Sequence, residues 1–157
     1  MSHLFDGSPC SFVPHGAAHS LVAIGWLEAA KPFPIGTVPD KFFRCICAHL
    51  ASPWQPPFAY AGHHQCDICQ FGTATSTYSG HKFSSHSASE LFIPTGSSIY
   101  VSPVNIAHYI GVHRYRPPED YISAVLACPP QRTMAHLKLL LDSGGRSWLE
   151  AVQTPPE

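Results

Sequence analysis

Apolar and polar positions along the chain alternate in short runs that proline keeps interrupting. In "SLVAIGWLEA" (20–29), Val22, Ile24 and Trp26 alternate with smaller residues, the period-two pattern of a strand. "KPFPIGTVPD" reads as a turn-rich connector. Asp40, after Pro39, then caps a helix across "KFFRCICAHLAS", where Phe43, Ile46, Cys47 and Leu50 make one apolar face. Pro53 stops that helix, and "PWQPPFAYAG" (53–62) is an extended lead-in with aromatic anchors.

Downstream, "TATSTYSGHKFSSHSAS" (73–89) is polar and serine-rich, the pattern of a flexible excursion. "ELFIP" and "SIYVSP" flank "TGS" and predict a hairpin. A helix is expected over 103–115, with Pro103 near its start and "RPP" ending it. Pro117 and Pro118 open the next, "EDYISAVLACPP", where Glu119 and Asp120 favour the positive helix end. A last helix covers about 132–142 and stops at "SGG". Residues 1–19 read as irregular and 152–157 as a frayed tail. No repeat or linker divides residues 1–157, so the pattern predicts one α+β domain with a small antiparallel sheet and several short helices.

Composition narrows the chemistry. Charged residues are 12% of the chain, about half the usual share, and the formal net charge is -1. That argues against nucleic-acid binding, which needs a basic face to displace counterions. Arg114 and Arg116 are too few for a patch. No apolar run reaches the roughly 20 residues that cross a bilayer, and the first residues lack the pattern of a signal peptide. The expectation is a cytoplasmic protein with its six cysteines reduced.

The strongest candidate chemistry is "GHHQCDICQF" (62–71). A Cys-x-x-Cys turn places two thiolates on one side of a metal, and zinc then takes two further nitrogen or sulfur ligands. Cys66 and Cys69 supply the first pair, and "HYIGVH" supplies His108 and His113 as the second. Five residues of ideal helix turn about 500°, leaving the two rings about 140° apart. Both can therefore reach one ion only if the helix end loosens. His64 is a possible fifth ligand or a group that orients one, and His63 reads as structural. A redox pair fits less well, because the motif follows an extended aromatic-proline stretch rather than opening a helix. Cys45, Cys47 and Cys128 read as buried small hydrophobes, Cys10 falls in the irregular start, and His81 and His86 read as solvent-exposed.

The ordered set "GWLE", "PWQPPF", "GHHQCDIC", "LFIP", "YVSP" and "HYIGVHRYRPPEDY" resembles an uncharacterised family of small, mainly bacterial proteins. Its pattern is G-x-H-x-C-x-x-C, a short β segment ending in Pro, and H-Y-I-x-x-H-x-Y-x-P-P. Gly62, His64, Cys66, Cys69, His108, Tyr109, His113, Tyr115, Pro117 and Pro118 match it, within a resemblance spanning about 20–130. The resemblance implies a zinc site and no particular activity.

Three functions follow as expectations. The first is a structural Cys2His2 zinc centre of knuckle–hairpin–helix order, resembling a treble clef, in an interaction module that is not an enzyme. Its partner would be a protein reached through Trp54, Phe58 and Tyr60, or Tyr109, Tyr115 and Tyr121. The alternative is a zinc-dependent hydrolase or nuclease with an open metal position, for which Glu90, Glu119 and Asp120 are candidate bases. The third, a metal-responsive or nucleic-acid-binding regulator, is disfavoured by the low basicity.

Overall fold

The computed structural model describes residues 4–57, 66–69, 75–78, 80–84 and 90–153. At its centre is a three-stranded sheet of β1 (Leu21–Ala23), β4 (Leu91–Pro94) and β5 (Ile99–Ser102), in the order β1-β5-β4. β4 and β5 form the expected hairpin, with Phe92 opposite Val101. The sheet is mixed rather than antiparallel, because β1 runs parallel to β5 with Leu21 opposite Ile99. A parallel partner needs a long crossover, and everything from α1 (Asp40–Ala51) through β4 lies between the two strands.

Side chains alternate across this sheet, so it packs on both faces. On one face Leu91 and Ile93 join Phe42, Phe43, Ile46 and Leu50 of α1. The same cluster takes in Ile106 and Ile110 of α2 (Ile106–His113) and Tyr121 and Val125 of α3 (Glu119–Ala127). On the other face Leu21, Ala23, Phe92, Ile99 and Val101 meet Trp26, Leu140 and Trp148. The last two come from α4 (Met134–Leu140) and α5 (Arg146–Gln153).

Both edges of the sheet are covered. Residues 4–10 run along β1, with Cys10 N donating to Leu21 O at 2.9 Å and Ala23 N to Ser8 O at 2.8 Å. The first residues, expected as irregular, therefore act as an added antiparallel strand, with Pro9 paired to Val22. At the β4 edge, His136 Nε2 lies 3.2 Å from Phe92 O.

Several elements end elsewhere than the pattern predicts. β1 stops at Ala23 because Gly25 takes a positive φ of 83°. That turn sends Trp26 into the second core, where Nε1 donates to Val101 O at 2.8 Å. Asp40 does not cap α1: Pro39 holds the cap position, and Asp40 stabilises the first turn by its charge. "SGG" does not end the last helix. A π turn with Gly144 at φ 107° bends the chain, which then resumes as α5 and buries Trp148. Residues 152 and 153, expected to fray, are still helical.

Within the serine-rich stretch, β2 (Thr75–Tyr78) and β3 (His81–Ser84) pair antiparallel, with β2 beside α2. Among the described residues, no helix is long and apolar enough to cross a membrane.

Candidate metal centre

The chain brings Cys66, Cys69, His108 and His113 together. One donor atom from each lies within 4.8 Å of all the others, close enough to hold a metal ion. The two sulfurs are 3.7 Å apart. Cys66 Sγ is 3.4 Å from His113 Nε2, and Cys69 Sγ is 3.3 Å from His108 Nε2. The imidazole planes are nearly perpendicular, at 81°, with centroids 5.0 Å apart.

The loosened helix end that this convergence requires is present. An ideal helix bonds each N–H to the carbonyl four residues back. Here the N–H groups of both Arg114 and Tyr115 turn back to Tyr109 O, five and six residues away. Arg114 takes a left-handed φ of 59°, which ends α2 immediately after His113. His113 is the last helical residue before that turn, and its ring lies 5.0 Å from that of His108.

The knuckle is built to support charge on sulfur. Burial pushes the Cys66 thiol up, but the backbone N–H groups of Cys69 and Ile68 face its sulfur and oppose that rise. A bound cation would complete the compensation and hold the thiolate. Burial, and then the neighbouring His108, lower the His113 pKa and keep its ring in the neutral form that ligates. Asp67 fastens the turn from outside, its Oδ1 accepting from Ala29 N at 3.0 Å. Ile68 packs against the larger core. Tyr109 is wedged beside both histidines, with ring centroids 6.1 and 6.3 Å from theirs, and its hydroxyl accepts from Asn105 Nδ2 at 3.4 Å.

The candidate bases lie elsewhere. Glu119 is exposed and pairs with Arg116. Glu90 is buried and acts on Cys10, in the second core. Asp120 acts on Tyr100. Among the described residues, the metal-binding group contains no carboxylate. His63, His64, Phe58, Tyr60 and His86 lie outside the described residues.

The aromatic docking surface needs correction. Tyr109, Tyr115 and Tyr121 are completely buried. All three hydroxyls have polar partners: Tyr109 accepts from Asn105, Tyr115 donates to Asp6 Oδ2 at 2.7 Å, and Tyr121 accepts from Ser102 Oγ at 2.9 Å. Trp54 is half-buried against Phe92. Sequence reasoning also missed His49, which local pattern places on the apolar side of α1. It is buried, with Nε2 3.2 Å from Val125 O and Nδ1 3.2 Å from Gln131 Nε2.

No curated protein and no solved structure matches the chain. A family model does, over residues 2–126, a span that contains all four converging cysteines and histidines. The chain therefore belongs to DUF7919, a domain family of unknown function.

Proposed function

We propose that Cys66, Cys69, His108 and His113 hold one zinc ion in a closed structural centre, and that the domain is an interaction module fastened by it. The observation that carries this reading is the size of the cluster. Two sulfurs about 2.3 Å from one zinc at the tetrahedral angle sit about 3.8 Å apart, and a sulfur–nitrogen pair about 3.6 Å apart. The corresponding separations here are 3.7 Å for the sulfurs and 3.4 and 3.3 Å for the mixed pairs. Two thiolates and two neutral imidazoles suit zinc by softness and geometry. They also cancel its charge, which lowers the cost of burying the ion.

The architecture around the ion is treble-clef-like. A knuckle gives the first two ligands, the β2–β3 hairpin follows, and α2 gives the other two. Four protein ligands leave no coordination position for water or substrate. The zinc accordingly joins the knuckle to α2 and holds the surface around them in shape for a protein partner. A cytoplasmic location fits, since the thiolates must stay reduced.

The test is metal analysis of the purified protein, followed by the visible spectrum of its cobalt form. One equivalent of zinc and a tetrahedral S2N2 spectrum indifferent to added anions are expected. A spectrum that shifts with anions would instead reveal an open position and favour hydrolysis.

A further inference from the structure

A second cluster of reactive side chains lies away from the zinc centre, where α1 meets the end of α3. Cys45 and His49 are one turn apart on α1. Cys45 Sγ donates to Val125 O at 3.4 Å, and His49 Nε2 lies 3.2 Å from the same oxygen. The backbone N–H of Cys128 donates to it as well, at 3.4 Å. One carbonyl therefore gathers the Cys45 sulfur and the Cys128 main chain side by side.

A surface cavity of about 240 Å³ opens over this junction, with Cys45, His49, Ser52, Cys128 and Gln131 in its wall. The other polar groups are engaged. His49 Nδ1 meets Gln131 Nε2 at 3.2 Å, and Gln131 Oε1 accepts from Trp54 N at 2.9 Å. The two thiols make only weak sulfur contacts, Cys128 donating to the adjacent Pro129 O at 3.3 Å. Cys45 lies near enough to Cys128 to act on its thiol electrostatically.

We propose that Cys45 and Cys128 are an oxidisable pair, closing to a disulfide between α1 and the end of α3 when a small-molecule disulfide enters the cavity. The chemistry is two thiol–disulfide exchanges. The Cys45 thiol loses its proton to solvent, and the thiolate attacks one sulfur of the small disulfide. That S–S bond breaks, and one small thiolate leaves and takes up a proton. Cys128, deprotonated in turn, attacks the Cys45 sulfur and expels the second small thiol. Two protein thiols are oxidised and one small disulfide is reduced to two thiols.

Cys45 reacts first because it is the more exposed. Burial raises both thiols, that of Cys128 to about 12, so both exchanges are slow at neutral pH and quicken as pH rises. The bond would close a loop from 45 to 128 that contains all four zinc ligands. Oxidation would thus restrain the chain even when the metal is lost.

The experiment treats the full chain, loaded with zinc, with bis(2-hydroxyethyl) disulfide. It then maps peptides without reduction and follows released zinc with a dye. The expected result is loss of two of the six free thiols, a peptide joining Cys45 to Cys128, and retained metal. Cys45→Ala and Cys128→Ala should each abolish the cross-link. A lasting mercaptoethanol adduct on Cys45 with Cys128 still free would overturn the proposal. So would no reaction at either thiol, or a Cys66–Cys69 disulfide as the sole product. Should the protein bind no zinc, the peptide map still decides the Cys45–Cys128 question by itself.

Discussion

The knuckle corner and the second core are held together by different physics. Beneath the sheet, Trp26, Phe92 and Trp148 are almost wholly buried, and the Phe92 and Trp148 rings stack 5.5 Å apart. Apolar area and dispersion dominate there. At the knuckle both cysteines are only half-buried, and Asp67 is exposed between them. Beyond Ile68 and Cys66 against the larger core and the Asp67–Ala29 bond, the four donors are what fasten that turn to α2. One region should respond to metal and hardly to cavities, the other to cavities and hardly to metal.

The largest expected effect is on the knuckle side. Cys66→Ser, or removal of zinc by a strong chelator, should detach the knuckle from α2 and lower stability by more than about 5 kcal/mol, because structural zinc contributes its binding energy to folding. Zinc stoichiometry with denaturant unfolding checks this, and an unchanged midpoint in the stripped protein would break the contrast. Next comes Trp148→Ala, expected to cost about 3–5 kcal/mol as a core truncation. It also removes the Nε1 donor to Pro14 O. Zinc content of the folded variant should stay at one equivalent.

Acid should distinguish the regions less sharply. Burial lowers the pKa values of His49 and His136 below the ordinary 6.5. Each is thus favoured neutral in the folded chain and takes a proton more readily when unfolded. Their contribution is fully present above about pH 6.5 and is lost as pH falls from there through the folded values. Melting temperature measured between pH 7.5 and 5 should therefore fall on acidification, and His49→Gln should flatten the dependence. The smallest effect is Asp67→Ala, which deletes the bond from Ala29 N. It should cost about 1 kcal/mol and weaken zinc binding a few-fold in a competition titration.

The grouping of these four residues was legible in the sequence because a metal-ligand pattern is a local rule, written once in Cys66–Cys69 and once in His108–His113. Their convergence needed a frayed helix end, and "RYRPP" announced one. Other features depend on contacts that no local pattern encodes. The parallel pairing of Leu21 with Ile99 joins segments far apart in sequence. α5 was hidden because Gly144 and Gly145 resemble a stop, and only the burial of Trp148 gives the chain a reason to resume. Tyr109, Tyr115 and Tyr121 carry polar hydroxyls that suggest a surface. Asn105 satisfies Tyr109, and partners remote in sequence, Asp6 and Ser102, satisfy Tyr115 and Tyr121, so all three are buried.

The N-terminal segment that pairs along β1 has a consequence for solution behaviour. Two strand edges are open to self-templating in a sheet this small, and His136 already occupies one of them. Residues 4–10 satisfy the other through N–H and carbonyl groups that a second molecule would otherwise supply. That short stretch is thus a guard against polymerisation, and a chain trimmed past Cys10 should stack edge to edge with its own copies.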